Sequence, residues 1–295
     1  MTGDDVYGGR NAALIGAGAV LLSLTSVNLG AAFAKTLFPL LGVAGVAAVR
    51  IGLGAVILLL VRRPWRRQVP RDLRWMLVAY GATLGVMNLL IYLAFAHIPI
   101  GIAIAIEVTG PLTIVLMGSR RPRDFLWLAA AVAGLLLLLP LRSGAALDPL
   151  GVLFACGAAV CWALYILAGK RVSHRLGGDA AAWGMVVAAI LIVPFGLPQA
   201  QPMLSPHIML ICLAIAILSS ALPYSLEIEA MRRLPAPVFG LLLSAAPAIG
   251  ALAGFAVLGE RLTPIQWFAI ACIIAASGGS ALTGRRKAVI EQAPL

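Results

Sequence analysis

Apolar runs of membrane-crossing length recur ten times along the chain, parted by short polar bursts at roughly 12–34, 43–61, 75–95, 98–118, 125–141, 150–169, 180–198, 208–230, 237–258 and 265–284. A bilayer core of about 30 Å needs about 20 apolar residues per helix, so the pattern predicts ten transmembrane helices and no sheet. The fifth run is short and bounded by Asp124 and Arg142, whose side chains can reach the interface. Between Trp75 and Gly118 there is no Lys or Arg, and one helix of that length cannot cross a single bilayer. A helical hairpin turning at His97–Pro99 resolves this, with Pro99 marking the turn.

The basic residues test the count. With the N-terminus in the cytoplasm, one side collects 18 of them: Arg10; Arg62, Arg63, Arg66, Arg67, Arg71 and Arg74; Arg120, Arg121 and Arg123; Lys170, Arg171 and Arg175; Arg232 and Arg233; Arg285, Arg286 and Lys287. The other side collects three, Lys35, Arg142 and Arg261, while Arg50 falls inside the second span. Such a positive-inside bias arises only with an even number of spans and a real hairpin at His97, and it puts both termini in the cytoplasm. The six-arginine stretch from Arg62 to Arg74 reads as an orientation anchor that also touches anionic membrane lipids.

Composition agrees and excludes other classes. Of 295 residues, 62% are hydrophobic and 11% charged, against about 25% charged in soluble domains. The net charge of +11 comes in bursts between apolar runs rather than on one soluble face, which argues against nucleic-acid binding. Cys156, Cys161, Cys212 and Cys272 all lie inside apolar runs without metal-ligand spacing, so they read as packing residues, and no metal or cofactor is expected. Arg10 precedes an apolar stretch too long for a cleaved leader. Gly169-Lys170 lacks the upstream glycine of a phosphate loop, and no HExxH or GxSxG motif occurs, so neither ATP-driven transport nor an enzyme is expected. Nothing in the pattern fixes an oligomeric state.

The two halves echo one another at a shift of about 136 residues: Ile98-Pro99 matches Leu234-Pro235, Gly110-Pro111 falls opposite Ala246-Pro247, and Asp124 falls opposite Glu260. At a shift of 135, Lys35 falls opposite Lys170. A duplicated five-helix unit follows, residues 1–145 and 146–295. Five is odd, so the second copy enters from the opposite side and the repeats are inverted, a basis for alternating access with substrate held between them. The polar chemistry is not duplicated: Glu107 falls opposite Leu243, and Glu227 opposite Ile91.

Ionisable groups inside lipid are expensive and are functional candidates by default. Glu107 sits mid-span in GIAIAIEVTGP, where Pro111 deprives the Glu107 carbonyl of its helical partner. Carboxylate, carbonyl and the Thr109 hydroxyl would gather at one kink, suited to a cation, a substrate ammonium or a proton; a structural ion pair is the alternative. In the eighth span Pro223 frees the carbonyl of Ser219, and Tyr224 and Glu227 share a face, forming either a ligand wall or ordinary packing. Glu229, four before Arg233, reads as an interfacial pair. Arg50 suits a substrate carboxylate, Glu107 or a structural carboxylate; Lys35 and Lys170 suit helix ends. The fourth and ninth spans, kinked at Pro111 and Pro247, are gate candidates, though membrane helices also simply tolerate proline.

These residues carry a resemblance. The segments GIAIAIEVTGPL (101–112), AILSSALPYSLE (216–227), LGERLTPIQ (258–266), AAFAKTLFP (31–39) and CWALYI (161–166) resemble the EamA-type branch of the drug/metabolite transporter superfamily, and within it the bacterial threonine/homoserine exporters. The likeness spans most of the chain. It implies a multi-pass inner-membrane protein that exports small zwitterionic amino acids in exchange for protons, with Lys35, Arg50, Glu107, Pro111, Tyr224 and Glu227 carried over. Glu229 departs from the pattern, where an apolar residue is expected. Efflux of other amphiphilic metabolites or cationic drugs is the competing expectation, and a channel or membrane enzyme a remoter one.

Overall fold

The computed structural model of the protein describes residues 4–66, 68–98, 100–118, 148–199 and 205–258, with scattered positions between 126 and 137 and between 263 and 275. All regular structure among the described residues is helical. Among the described residues seven helices are long and apolar enough to cross a membrane: Ala12–Lys35, Phe38–Arg62, Arg71–His97, Pro149–Leu176, Asp179–Gln199, Pro206–Arg233 and Val238–Val257. They coincide with seven of the expected spans. The fourth expected span is present as two shorter helices, and the fifth and tenth, with Asp124, Arg142, Glu260 and Arg261, lie largely outside the described residues.

Helix α1 (Asp4–Lys35) and α2 (Phe38–Arg62) are joined by a two-residue turn, with Pro39 in the first turn of α2, where its missing N–H costs nothing. Helix α3 (Arg74–His97) stops at Ile98, which is extended at φ −132° and ψ 158°, and α4 (Ile100–Glu107) begins two residues later. The hairpin demanded by the charge pattern is therefore present. Val108 separates α4 from α5 (Thr109–Gly118), three residues before Pro111. Asp148 caps α6 (Pro149–Leu176), its carboxylate accepting the Leu150 N–H at 2.9 Å. Helix α7 is Asp179–Gly196. The eighth expected span is composite: α8 (Pro206–Ala216), a π-helical turn (Ile217–Ala221) and α9 (Leu222–Arg233). After an extended Leu234 come α10 (Ala236–Leu243) and α11 (Ala246–Leu258), parted at Ser244–Ala245.

In lipid the hydrophobic effect cannot drive helices together, so close packing must. Outward faces remain apolar, as at Leu60, Val160, Ile190 and Leu210. Between helices, small residues allow contact. A Cβ on Gly110 would lie 2.0 Å from the Ala159 carbonyl oxygen, so only glycine lets α5 lie this close to α6. The main packed pairs are α3 on α6, α2 on α7, α1 on α9, α4 and α5 on α6, and α11 on α1. Helix α5 also packs on α10, and α4 on α11.

Candidate substrate cavity

The π turn positions the first part of the site. Pro223 has no N–H to offer the carbonyls of the preceding turn, and insertion of a π turn is a common answer to such a conflict. Two side chains from the other half take up the loose carbonyls: Ser26 Oγ donates to Leu218 O at 2.5 Å, and Arg50 Nη1 donates to Ser219 O at 3.2 Å. The carbonyl that the sequence marked as free is thus the one Arg50 holds. Arg50 is 2% exposed, donates through Nη2 to the Asn88 amide oxygen, and lies 4.6 Å from the Tyr92 ring centroid. Neutral dipoles and a π face disperse its charge, with no ion pair to it among the described residues.

Asn88 links this guanidinium to the eighth crossing, with its amide 2.6 Å from the Tyr224 hydroxyl. Tyr224 also packs edge-on against Tyr165, ring centroids 6.2 Å apart. Glu227 lies beside them, 5% exposed, accepting hydrogen bonds from Ser23 Oγ at 3.1 Å and from the Tyr165 hydroxyl at 2.8 Å. Five helices, α1, α2, α3, α6 and α9, therefore meet in one polar cluster inside an apolar bundle.

The cluster borders a cavity of about 80 Å³ lined by Asn28, Asn88, Tyr92, Glu107, Trp162, Tyr224 and Glu227 among apolar neighbours. By the same measure a water molecule needs about 10–15 Å³, so the space suits a small solute. Glu107 ends α4 and enters this cavity with no hydrogen bond or ion pair to its carboxylate among the described residues. A partly dry carboxylate with no hydrogen-bonded or ion-paired partner among the described residues is suited to an incoming ammonium group or proton.

The EamA-like transporter family matches residues 149–281. The threonine/homoserine exporter RhtA of Escherichia coli strain K12 is 46% identical over 275 residues, covering 92% of this chain and 93% of that protein. The corresponding exporter of Salmonella typhimurium strain LT2 is 47% identical over the same shares. The chain belongs to the EamA-like transporter family.

As a family member within the drug/metabolite transporter superfamily, it is a multi-pass protein of the bacterial inner membrane and not an enzyme. A further relative, the uncharacterized transporter YwfM of Bacillus subtilis strain 168, is 31% identical over 161 residues, covering 53% of this chain and 54% of that protein. A crystal structure sharing the fold superposes with a TM-score of 0.68 at 23% identity, covering 94% of this chain and 98% of that one.

Against this EamA fold the expected site residues divide. Glu107, Tyr224 and Glu227 line one cavity, and Arg50 stands directly behind it, reaching the wall through Asn88 and Tyr92. Thr109 lies on the exposed side of α5 with its hydroxyl donating to the Ile106 carbonyl at 2.6 Å, away from the cavity. Lys35 ends α1 outside the lining residues. Pro223 starts α9, and Pro111 and Pro247 follow the breaks in the fourth and ninth crossings. Glu229 forms the expected pair with Arg233, at 2.5 Å, and a second with Arg232, at 3.0 Å.

Sequence reasoning passed over Asn88, Tyr165 and Ser23. Each is a polar group within an apolar run, and the repeat held one clue: Asn88 and Tyr224 are 136 residues apart, the spacing between equivalent positions of the two halves.

Proposed function

We propose that the chain exports small neutral amino acids of the threonine and homoserine type, coupled to proton entry, by alternating access between two inverted five-helix repeats. The observation that carries the substrate class is the 46% identity to a threonine/homoserine exporter along 92% of the chain. The cavity supports it chemically. Glu107 faces the cavity unpaired, ready for the substrate ammonium or the coupled proton, while Arg50 supplies positive potential behind Asn88 and Tyr92 for the substrate carboxylate. A zwitterion needs both signs within one small space.

Support for ten spans in repeats 1–145 and 146–295 comes from matched contacts. The Asn88–Tyr224 bond joins equivalent positions, as expected for side chains beside the pseudo-two-fold axis. A Cβ at Gly16 would meet Leu234, and one at Gly151 would meet Ile98, the same pair transposed by 135 and 136 residues. The family match over 149–281 also covers the second half by itself.

The repeats are not in equivalent conformations. Helix α6 packs against α9, and Lys170 Nζ holds the Met231 carbonyl at 2.5 Å as well as that of Leu234. The transposed packing of α1 on α3 is not extensive among the described residues, and Lys35 holds no carbonyl there. With both termini cytoplasmic, the bundle is then closed at its inner end and looser at its outer end, an outward-facing state.

The test uses purified protein in liposomes with an imposed pH gradient. Threonine or homoserine moves against its concentration gradient, and Glu107→Gln abolishes this movement. Rates equal to protein-free liposomes for every small neutral amino acid would sink the substrate class; unimpaired gradient-driven transport in Glu107→Gln would sink the coupling role.

A further inference from the structure

Three arginines of the densest basic segment converge on a cleft separate from the substrate cavity. It measures about 480 Å³ and is lined by Arg62, Arg63, Arg66, Gly177, Gly178, Asp179 and Arg232. Its walls come from three places: the end of α2, the turn between α6 and α7, and the end of α9. The floor is the turn Gly177–Gly178. A Cβ on Gly178 would stand 2.6 Å from Arg62 Nη1, and one on Gly177 would stand 3.9 Å from the Arg232 guanidinium, so two cations from different helices close over backbone that bears no side chain.

Three of the four arginine charges in this cleft are not spent on the protein. Arg62, Arg63 and Arg66 make no hydrogen bond or ion pair through their side chains among the described residues, whereas nearby Arg175 pairs with Asp72 at 3.3 Å and Arg232 with Glu229 at 3.0 Å. Asp179, the acid in the lining, pairs with none of the four arginines. The first turn of α7 opens here with no side-chain cap at Gly178, which adds the positive end of an 18-residue helix. Planar guanidinium groups converging on a helix N-terminus match the oxyanion geometry of a phosphate, which they bind through paired N–H donors. The cleft also lies where the apolar spans end, at Arg62, Leu176 and Asp179.

We infer that this cleft is a phosphate-binding site at the basic membrane edge, shaped for the phosphodiester headgroup of an anionic lipid or for a free phosphate of similar charge. Bound there, the anion ties the end of α9, which carries Glu227 and Tyr224 further up, to α2 and to the α6–α7 turn.

The test measures thermal unfolding of the full chain in detergent while phosphatidylglycerol, phosphatidylcholine or inorganic phosphate is titrated in. Phosphatidylglycerol should raise Tm saturably and phosphatidylcholine should not. In the combined variant Arg62→Gln, Arg66→Gln, Arg232→Gln the apparent affinity should fall on the order of a hundredfold, the scale of three lost surface charges. Removing three arginines outside the lining, Arg71→Gln, Arg74→Gln, Arg171→Gln, should leave most of it. Should the first variant not fold, Gly178→Ala keeps every charge but displaces Arg62 and must also weaken binding. If inorganic phosphate protects with the same dependence on the variants and the lipid adds nothing, the ligand is a soluble phosphate. Equal effects on both triple variants, or no protection by either phosphate source, would overturn the site.

Discussion

Arg50 is a buried cation whose hydrogen bonds go to neutral dipoles, with no ion pair to it among the described residues. Its donors go to the Asn88 amide and to the Ser219 carbonyl that Pro223 leaves unpaired, so the same side chain fixes the π turn and lends positive potential to the cavity wall. Truncation removes both functions. Arg50→Leu leaves a buried carbonyl unsatisfied, a cost of about 1–3 kcal/mol, which should lower Tm in detergent and abolish export. Arg50→Lys should recover part of the stability but little export, because an ammonium cannot reproduce the fork that bridges two acceptors. Normal export by Arg50→Leu would show that the cavity does not depend on that charge. At this scale the sequence was legible where chemistry is costly in lipid: Glu107, Glu227 and Arg50 stand out as ionisable groups in apolar runs. Asn88, Tyr165 and Ser23 were not, because an amide, a phenol or a hydroxyl is common in membrane helices. What makes these three notable is partners 136, 62 and 204 residues away.

Among the elements, the long helices differ in where their regular geometry fails. Helices α2 and α7 run against each other with irregularities only near their ends, at Gly42 (φ 64°, ψ 166°) in α2 and at Pro194 in α7, while the fourth and ninth expected spans break midway at Val108 and at Ser244–Ala245, and the eighth holds the π turn. Proline spacing foretold where the breaks fall, and the absence of Lys or Arg from 75 to 118 foretold the hairpin at His97. The π turn was not foretold, since proline only removes a donor and the packing of Ser26 and Arg50 selects the repair. Helix ends carry two predictions. Lys170→Met removes the donor that holds Met231 O and Leu234 O, so amide hydrogen exchange over residues 231–236 should quicken, with the inner end opening about tenfold more often or more. Lys35→Met should leave that segment unchanged in the proposed outward-facing state. At the opposite end, Asp148 joins α6 to α3: its carboxylate caps the Leu150 N–H and meets His97 Nδ1 at 2.7 Å. The Leu150 N–H first, and the His97 ring second, hold the Asp148 carboxyl below the usual aspartate range. A depressed folded-state pKa gives stability that is complete above the unfolded value of about 4 and is lost as pH falls through the folded one. Asp148→Ala should therefore lower Tm at neutral pH, and its gap from the unmodified protein should close below about pH 4. A gap that persists unchanged in acid would rule out the carboxylate as its source.

For the whole molecule, the proposed inverted repeats make a strong demand: each contact that closes one end must have a transposed partner that closes the other. Ala31 lines the cavity on α1 at the looser end, and its equivalent at a shift of 135 is Ile166 on α6, which is 1% exposed at the closed end. The proposed alternating access would exchange these environments. In a background without Cys156, Cys161, Cys212 and Cys272, a thiol reagent that cannot cross the membrane should label Ala31→Cys when added outside, and Ile166→Cys should resist it from either side. Lys170→Met, which frees the inner end, should raise labelling of Ile166→Cys from the cytoplasmic side by many times and lower that of Ala31→Cys from outside only by the outward population lost, because one equilibrium governs both. Independent changes at the two positions would mean that the ends open separately. That is the behaviour of a leaky pore rather than of a carrier whose single cavity faces one side at a time.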